Sequence, residues 1–166
     1  MGDNKGLLGL ALILGLAGVG LSGYTVIVSI AGPPSDQYIQ NSWYKQNLGL
    51  VYALPSQEIG TIPNLNTSIS VKSGEGVVFY YNGVADLYGW AYMNFWIAID
   101  GITISDSHIS LYITADAYDT TQIPVSLVYA STTISQGFHN VTVMFNANNT
   151  NQAVLRSRLF IQTYLV

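Results

Sequence analysis

Between Lys5 and Asp36 lie thirty residues without one charge, and from Gly6 to Ala31 they are apolar apart from Ser22, Tyr24, Thr25 and Ser29. No other feature restricts the chain as much. In a helix, the twenty-six residues from Gly6 to Ala31 extend about 39 Å, enough to cross a hydrocarbon layer of roughly 30 Å with some tilt. Inside lipid, the backbone amides of an isolated span find partners only within that span, so a helix is the form it takes. Pro33 and Pro34 end it. The sequence therefore predicts a transmembrane anchor helix over residues 1-32, a linker over 33-47 and a separate head over 48-166.

Glycines at 6, 9, 15, 18, 20 and 23 weaken a helix in water, but in lipid small residues let helices approach closely. The pairs Gly2/Gly6, Ala11/Gly15 and Gly18/Ser22 have the small-xxx-small spacing of a helix-packing face, although a glycine-rich segment also generates such pairs by chance. Two processing routes stand beside a retained anchor. Lys5-Gly6-Leu7-Leu8 resembles an archaeal prepilin cleavage site, which would leave Leu7 first and make the chain a filament subunit. Ser29-Ile30-Ala31 offers a small-x-small signal-peptidase site, but the apolar run exceeds the roughly 7–15 residues of a signal core. Lys5, the one basic residue before the span, predicts an inner N-terminus and an exterior head. The sequons at Asn66, Asn140 and Asn148, candidate glycosylation sites, all lie in the head and agree with that direction.

The head is wetted by neutral groups. Charged residues make up 8 % of the chain, against roughly 25 % in ordinary soluble domains. Five Lys and Arg against nine Asp and Glu leave no basic face for nucleic acid. The absence of cysteine removes disulfides, thiol nucleophiles and Cys-based zinc sites. Runs of Val, Ile, Thr, Tyr and Phe separated by Gly, Asn, Asp and Pro predict strands at 48–54, 67–71, 77–81, 88–99, 109–114, 125–129, 140–146 and 154–165. The expected fold class is all-β, a jelly-roll-like antiparallel β-sandwich, with one N-terminal transmembrane α-helix. Alternation in Val141–Phe145 and Leu155–Ile161 marks a half-buried final pair, with Arg156 and Arg158 outward.

The order Ile62-Pro63-Asn64-Leu65, Val77-Val78-Phe79, Trp96-Ile97-Ala98-Ile99-Asp100-Gly101, Gln136-Gly137-Phe138-His139-Asn140-Val141-Thr142-Val143 and Arg158-Leu159-Phe160-Ile161 resembles the C1q/TNF-like jelly roll over residues 48-166. The resemblance implies a trimer or other cyclic homo-oligomer with aromatic residues at subunit contacts, and binding or architecture in place of catalysis. Seven rings crowd Tyr80 to Trp96, more than one small core buries. Tyr81, Tyr88, Trp90, Tyr92 and Trp96 are the expected head interface; a glycan-binding surface would look similar.

Catalytic signals are weak. Ser42-Trp43-Tyr44-Lys45, Lys72-Ser73-Gly74 and Ser105-Asp106-Ser107 imitate the three β-lactamase elements, but in the wrong order and on an all-β head. His108 and His139 lack metal-ligand spacing. Asp100, Asp106, Asp116 and Asp119 have oxygen ligands for Ca²⁺ but no EF-hand spacing, and turn capping accounts for them. No enzyme activity, metal or cofactor is expected. The chain as a whole resembles virion proteins of membrane-containing archaeal viruses, including spindle-shaped, fusellovirus-like ones. That resemblance implies a structural surface protein in a tail, spike or vertex, with a lipid membrane, other virion proteins and a host surface glycan or protein as partners. A pilin-like filament subunit and a cell-surface glycan-binding adhesin are the alternatives.

Overall fold

Alternation of apolar and polar side chains lets a strand bury one face and wet the other. In residues 141–147, Val141, Val143, Phe145 and Ala147 are buried while Thr142, Met144 and Asn146 are half-buried. The computed structural model describes residues 39–114 and 120–166. The expected anchor, with Gly2, Gly6, Ala11, Gly15, Gly18 and Ser22, lies outside the described residues, as do Asp116 and Asp119. Among the described residues, no helix is long and apolar enough to cross a membrane.

The strands are β1 (Ile39–Asn47), β2 (Val51–Tyr52), β3 (Gly60–Thr61), β4 (Thr67–Val71), β5 (Glu75–Tyr88), β6 (Ala91–Ile99), β7 (Ile102–Thr103), β8 (Ile109–Ile113), β9 (Thr120–Ser131), β10 (Gly137–Ala147) and β11 (Ala153–Leu165). Sheet A runs β1-β11-β5-β9, with β2 also on β11. Sheet B runs β3-β10-β6-β7, with β4 also on β10 and β8 on β6. Every ladder is antiparallel. With the two-residue strands β2, β3 and β7 set aside, the eight longer strands fall in the order first-eighth-third-sixth in one sheet and second-seventh-fourth-fifth in the other. That double Greek key is a jelly roll, the expected fold.

The inner faces meet in a core that includes Phe79, Tyr81, Leu87, Met93, Phe95, Ile97, Val143, Phe145, Leu159 and Ile161. Phe95 sits between Tyr81 and Phe145, with ring centroids 5.7 and 6.2 Å away. Each such buried ring contributes about 1.5–3 kcal/mol of transfer free energy.

Three boundaries differ from the sequence expectation. The segment expected as linker to residue 47 contains β1, which pairs with β11 from Ile39 to Asn47. Its side chains are exposed on both faces apart from half-buried Trp43 and buried Asn47, so backbone pairing holds it and no alternation announces it. β5 continues past Tyr81 to Tyr88 through Asn82-Gly83, which resembles a turn. A Cβ at Gly83 would lie 2.5 Å from the Tyr81 hydroxyl oxygen, so this glycine makes room for a ring. β9 spans twelve residues despite Pro124; among the described residues it pairs only with β5, so the missing N–H falls at a sheet edge. Arg156 and Arg158 are both exposed, as expected, across a bulge in β11 where Arg156 takes φ 51°.

Candidate functional site

At one end of the sandwich the chain passes from sheet A to sheet B through Tyr88, Gly89, Trp90 and Ala91. Gly89 has φ 64°, a left-handed conformation that glycine adopts without strain. Two amides from the turn between β10 and β11 hold the crossing. Gln152, fully buried, accepts the Tyr88 N–H at 2.7 Å and donates to the Tyr88 carbonyl at 3.0 Å. Asn148 accepts the Tyr92 N–H at 3.2 Å and donates to the Trp90 carbonyl at 3.0 Å. The Trp90 backbone is thus fixed on both sides while its ring stands in solvent, 58 % exposed. Its indole N–H donates to the Tyr112 hydroxyl at 2.6 Å, and the two rings meet at 88° with centroids 5.9 Å apart. Tyr112 is itself 60 % exposed. The product is a rigid right-angled aromatic corner.

Beside the corner runs a polar row on the outer face of sheet B, built by the register that sets Asn146 against Asn94 and Asn94 against Ser110. Asn94 donates to the Asn146 carboxamide oxygen at 2.8 Å and accepts the Ser110 hydroxyl at 2.6 Å. The Nε2 of His108 lies 3.0 Å from the Ser110 oxygen and 3.2 Å from the Asn94 oxygen, and its ring stacks on Trp96 at 4.9 Å, 7° from parallel. None of the strands of sheet B contains Asp, Glu, Lys or Arg. The Asp, Glu, Lys and Arg residues found in the described strands, Lys45, Glu75, Asp86, Arg156 and Arg158, all belong to sheet A, whereas His139 lies in β10 of sheet B.

The five rings expected to form one interface do not share a face. Tyr81 is corrected outright: it is fully buried, its hydroxyl 3.2 Å from the Ser157 hydroxyl, and burial pushes its pKa up. Tyr88 ends β5 on the outer side of sheet A, while Tyr92 and Trp96 lie half-buried on sheet B. Trp90 alone of the five is openly exposed. Asn66 and Asn140 are exposed, but the Asn148 amide is engaged in the crossing. Sequence reasoning missed Tyr112, Asn94, Ser110, Asn146 and Gln152, because their roles depend on which strands become neighbours.

The opposite end of sheet B brings together a Ser, a His and an Asp that the sequence scatters. Asp100 and Gly101, both at positive φ, form the turn from β6 to β7. The Asp100 carboxylate accepts the Asn140 N–H at 2.8 Å and lies 2.8 Å from Nδ1 of His139. Nε2 of His139 lies 2.8 Å from the Ser135 carbonyl and 3.4 Å from the Ser135 hydroxyl. The set resembles a hydrolytic triad, but the nearer neighbour of Nε2 is an acceptor, so Nε2 must donate and cannot take a proton from serine. The hydrogen bond to Asp100 raises the His139 pKa, burial opposes it, and the Ser135 carbonyl adds to the rise. The Asn140 N–H and then His139 lower the Asp100 pKa. An imidazole held between the Asp100 carboxylate and the Ser135 carbonyl is a structural tie between two loops. Among the described residues, no three His, Asp or Glu side chains converge as metal ligands.

No protein-family model matches the chain, and no curated protein matches it. Solved structures overlap it loosely. The CBM36-1 domain of a multidomain xylanase from the hindgut metagenome of Trinervitermes trinervoides is 14 % identical, covers 73 % of this chain and 96 % of its own, and has a TM-score of 0.35. Latent PorU from Porphyromonas gingivalis is 15 % identical over 88 % of this chain and 14 % of its own, with a TM-score of 0.36. A mutant VP2 protein of infectious bursal disease virus, in T=1 particles, is 11 % identical over 84 % of this chain and 40 % of its own, with a TM-score of 0.39. This chain thus spans well under half of the PorU and VP2 chains. Overlap this loose adds nothing to the strand order, which by itself makes the head a jelly roll.

Proposed function

We propose that the chain is a membrane-anchored structural surface protein, a component of a virion surface, whose jelly-roll head assembles as a cyclic homo-oligomer and presents the Trp90–Tyr112 corner outward. The observation that carries this reading is where the chain enters the head. Ile39 pairs with Tyr164, beside the final Leu165 and Val166, at the end of sheet A opposite the Trp90 crossing. The two ends are separated by the length of β5, thirteen residue steps or about 43 Å at roughly 3.3 Å each. Only seven residues separate Ala31, the end of the apolar run, from Ile39, so the Ile39 end faces the membrane. Exposed Ile39, Phe138, Leu165 and Val166 at that end suit a lipid surface. For assembly the head offers a different flank: Leu48, Leu50, Tyr52, Leu54 and Ile59 are all exposed within twelve positions, an apolar density that monomers seldom leave in water. This reading puts the subunit contact on the aliphatic flank, where the sequence expectation put it on the aromatic residues.

The test uses the full chain reconstituted in liposomes. It should float with the vesicles after an alkaline carbonate wash, and after detergent extraction its native mass should be a small integral multiple of 18.0 kDa. Leu50→Asp with Leu54→Asp should reduce it to a monomer without changing the near-ultraviolet dichroism. Release by carbonate or a monomeric parent chain overturns the reading, and an intact mass from native membranes beginning at Leu7 transfers it to a filament subunit.

A further inference from the structure

We infer that the outer face of sheet B, from the Trp90–Tyr112 corner along Asn94, Ser110 and Asn146, is a binding site for a neutral saccharide. The inference rests on the preceding reading only for its outward direction; the site itself follows from the chemistry of the face. A pyranose carries an apolar C–H face and a rim of hydroxyls. The corner supplies two perpendicular ring faces, so a sugar stacked on one ring abuts the other. Both rings are more than half exposed and already locked by the indole-to-hydroxyl hydrogen bond, so binding costs little side-chain entropy.

The row beside the corner retains hydrogen-bonding capacity in that geometry. Tyr112 accepts from Trp90 and keeps its own O–H to donate. Asn94 and Asn146 each use one amide N–H within the protein, toward Asn146 and the Gln57 carbonyl, and each has a second. A saccharide hydroxyl both donates and accepts, so it complements such a row.

Charge decides between ligand classes. Among the described residues, the strands of sheet B contain no Asp, Glu, Lys or Arg, and His108 is the one basic side chain in the row, so the described face offers no guanidinium or ammonium group for sulfate, sialate or phosphate and no strand carboxylate for a basic peptide. A second copy of the chain finds an aliphatic surface on the 48–59 flank, whereas this face is rings, amides and hydroxyls.

The experiment titrates the full chain in nanodiscs with neutral hexasaccharides of glucose, mannose, xylose and N-acetylglucosamine, and with a heparin hexasaccharide as the charged control. Tryptophan emission and saturation-transfer NMR are the readouts. At least one neutral probe should bind with a millimolar or tighter Kd. Trp90→Ala should weaken it at least tenfold and Tyr112→Phe three- to tenfold, because the ring remains but its hydroxyl is lost. Unchanged dichroism in both variants separates lost contact from lost fold. No neutral binding up to 10 mM, preference for heparin, or binding indifferent to both substitutions overturns the proposal. Flotation and native mass are measured on the same preparation. Saccharide binding by a chain that fails to float leaves this site standing and removes the anchor; flotation without binding does the reverse.

Discussion

Replacing Gln152 with Met tests the crossing that holds the aromatic corner, and structure sets the size of the effect. The two side chains have similar volume, so the change leaves no large cavity and removes only polar atoms. Two backbone groups of Tyr88, the N–H at 2.7 Å and the carbonyl at 3.0 Å, lose their partner. An unsatisfied buried group costs about 1–3 kcal/mol, and since Tyr88 is half-buried the lower part of that range applies, roughly 2–3 kcal/mol for the pair. For a head of this size each kcal/mol lowers the unfolding midpoint by about 3–5 °C, so the midpoint should fall by roughly 6–15 °C. Differential scanning calorimetry on the detergent-solubilised chain measures it. Gln152→Glu sharpens the reasoning: a carboxylate still accepts the N–H but faces the Tyr88 carbonyl as a second acceptor. That variant should be less stable than Gln152→Met at neutral pH and recover near pH 4, where a protonated carboxyl again donates. A midpoint for Gln152→Met within about 2 °C of the parent, or a Gln152→Glu variant indifferent to pH, would refute the two-bond account.

The tie between His139 and Asp100 makes stability depend on pH. The raised His139 pKa adds stability that is complete below its ordinary value of 6.5 and fades as pH rises through the folded value. The lowered Asp100 pKa adds stability present above its ordinary 3.8 and lost as pH falls through the folded value. The tie therefore contributes most between those two values, and His139→Gln should flatten the alkaline decline of the midpoint measured from pH 5 to 9. Gly83→Ala places a methyl 2.5 Å from the Tyr81 oxygen and 3.2 Å from the Ser157 oxygen, and should cost about 1–3 kcal/mol in denaturant unfolding. Tyr81→Phe in the same chain should restore most of that loss; no rescue would place the strain elsewhere. Peptide mapping of the folded head after exposure to a glycosylating host should find Asn148 unmodified, since its amide donates to the Trp90 carbonyl.

The sandwich was legible because β10 and β11 announce themselves by alternation, β4 by its run between turn residues, and the turn at Asp100-Gly101 by its residues. β1 was not, since Ile39–Asn47 has no buried stripe and gains its conformation from the β11 edge. Gly83 misled for a physical reason: glycine marks turns and also close approaches, and only the Tyr81 ring across the strand tells them apart. The crowding of rings from Tyr80 to Trp96 was visible, but their distribution was not. A strand sends alternate residues to opposite faces, so Tyr81 fell into the core and Tyr92 outside it. Tyr112 and Ser110 reach the site through the pairing of β8 with β6, a register no local pattern encodes.

The low charge of the chain acquires a location from the fold. Had its few charges been spread evenly, both sheets would carry them; instead those in strands fall on sheet A. An amide or hydroxyl hydrates a surface without producing a long-range field, whereas a charge steers partners of opposite sign over a Debye length of about 8 Å at physiological salt. Among the described residues, the strands of sheet B hold no Asp, Glu, Lys or Arg, and the row beside the corner selects by contact, through ring faces and fixed hydrogen-bond geometry. Such selection requires rigidity. Gln152 and Asn148 supply it at the crossing, and the Asn146–Asn94–Ser110 chain supplies it along the face. Side chains that look like solvating filler in the sequence thus hold the exposed rings in place, and the head combines a neutral face with fixed geometry at the end farthest from Ile39.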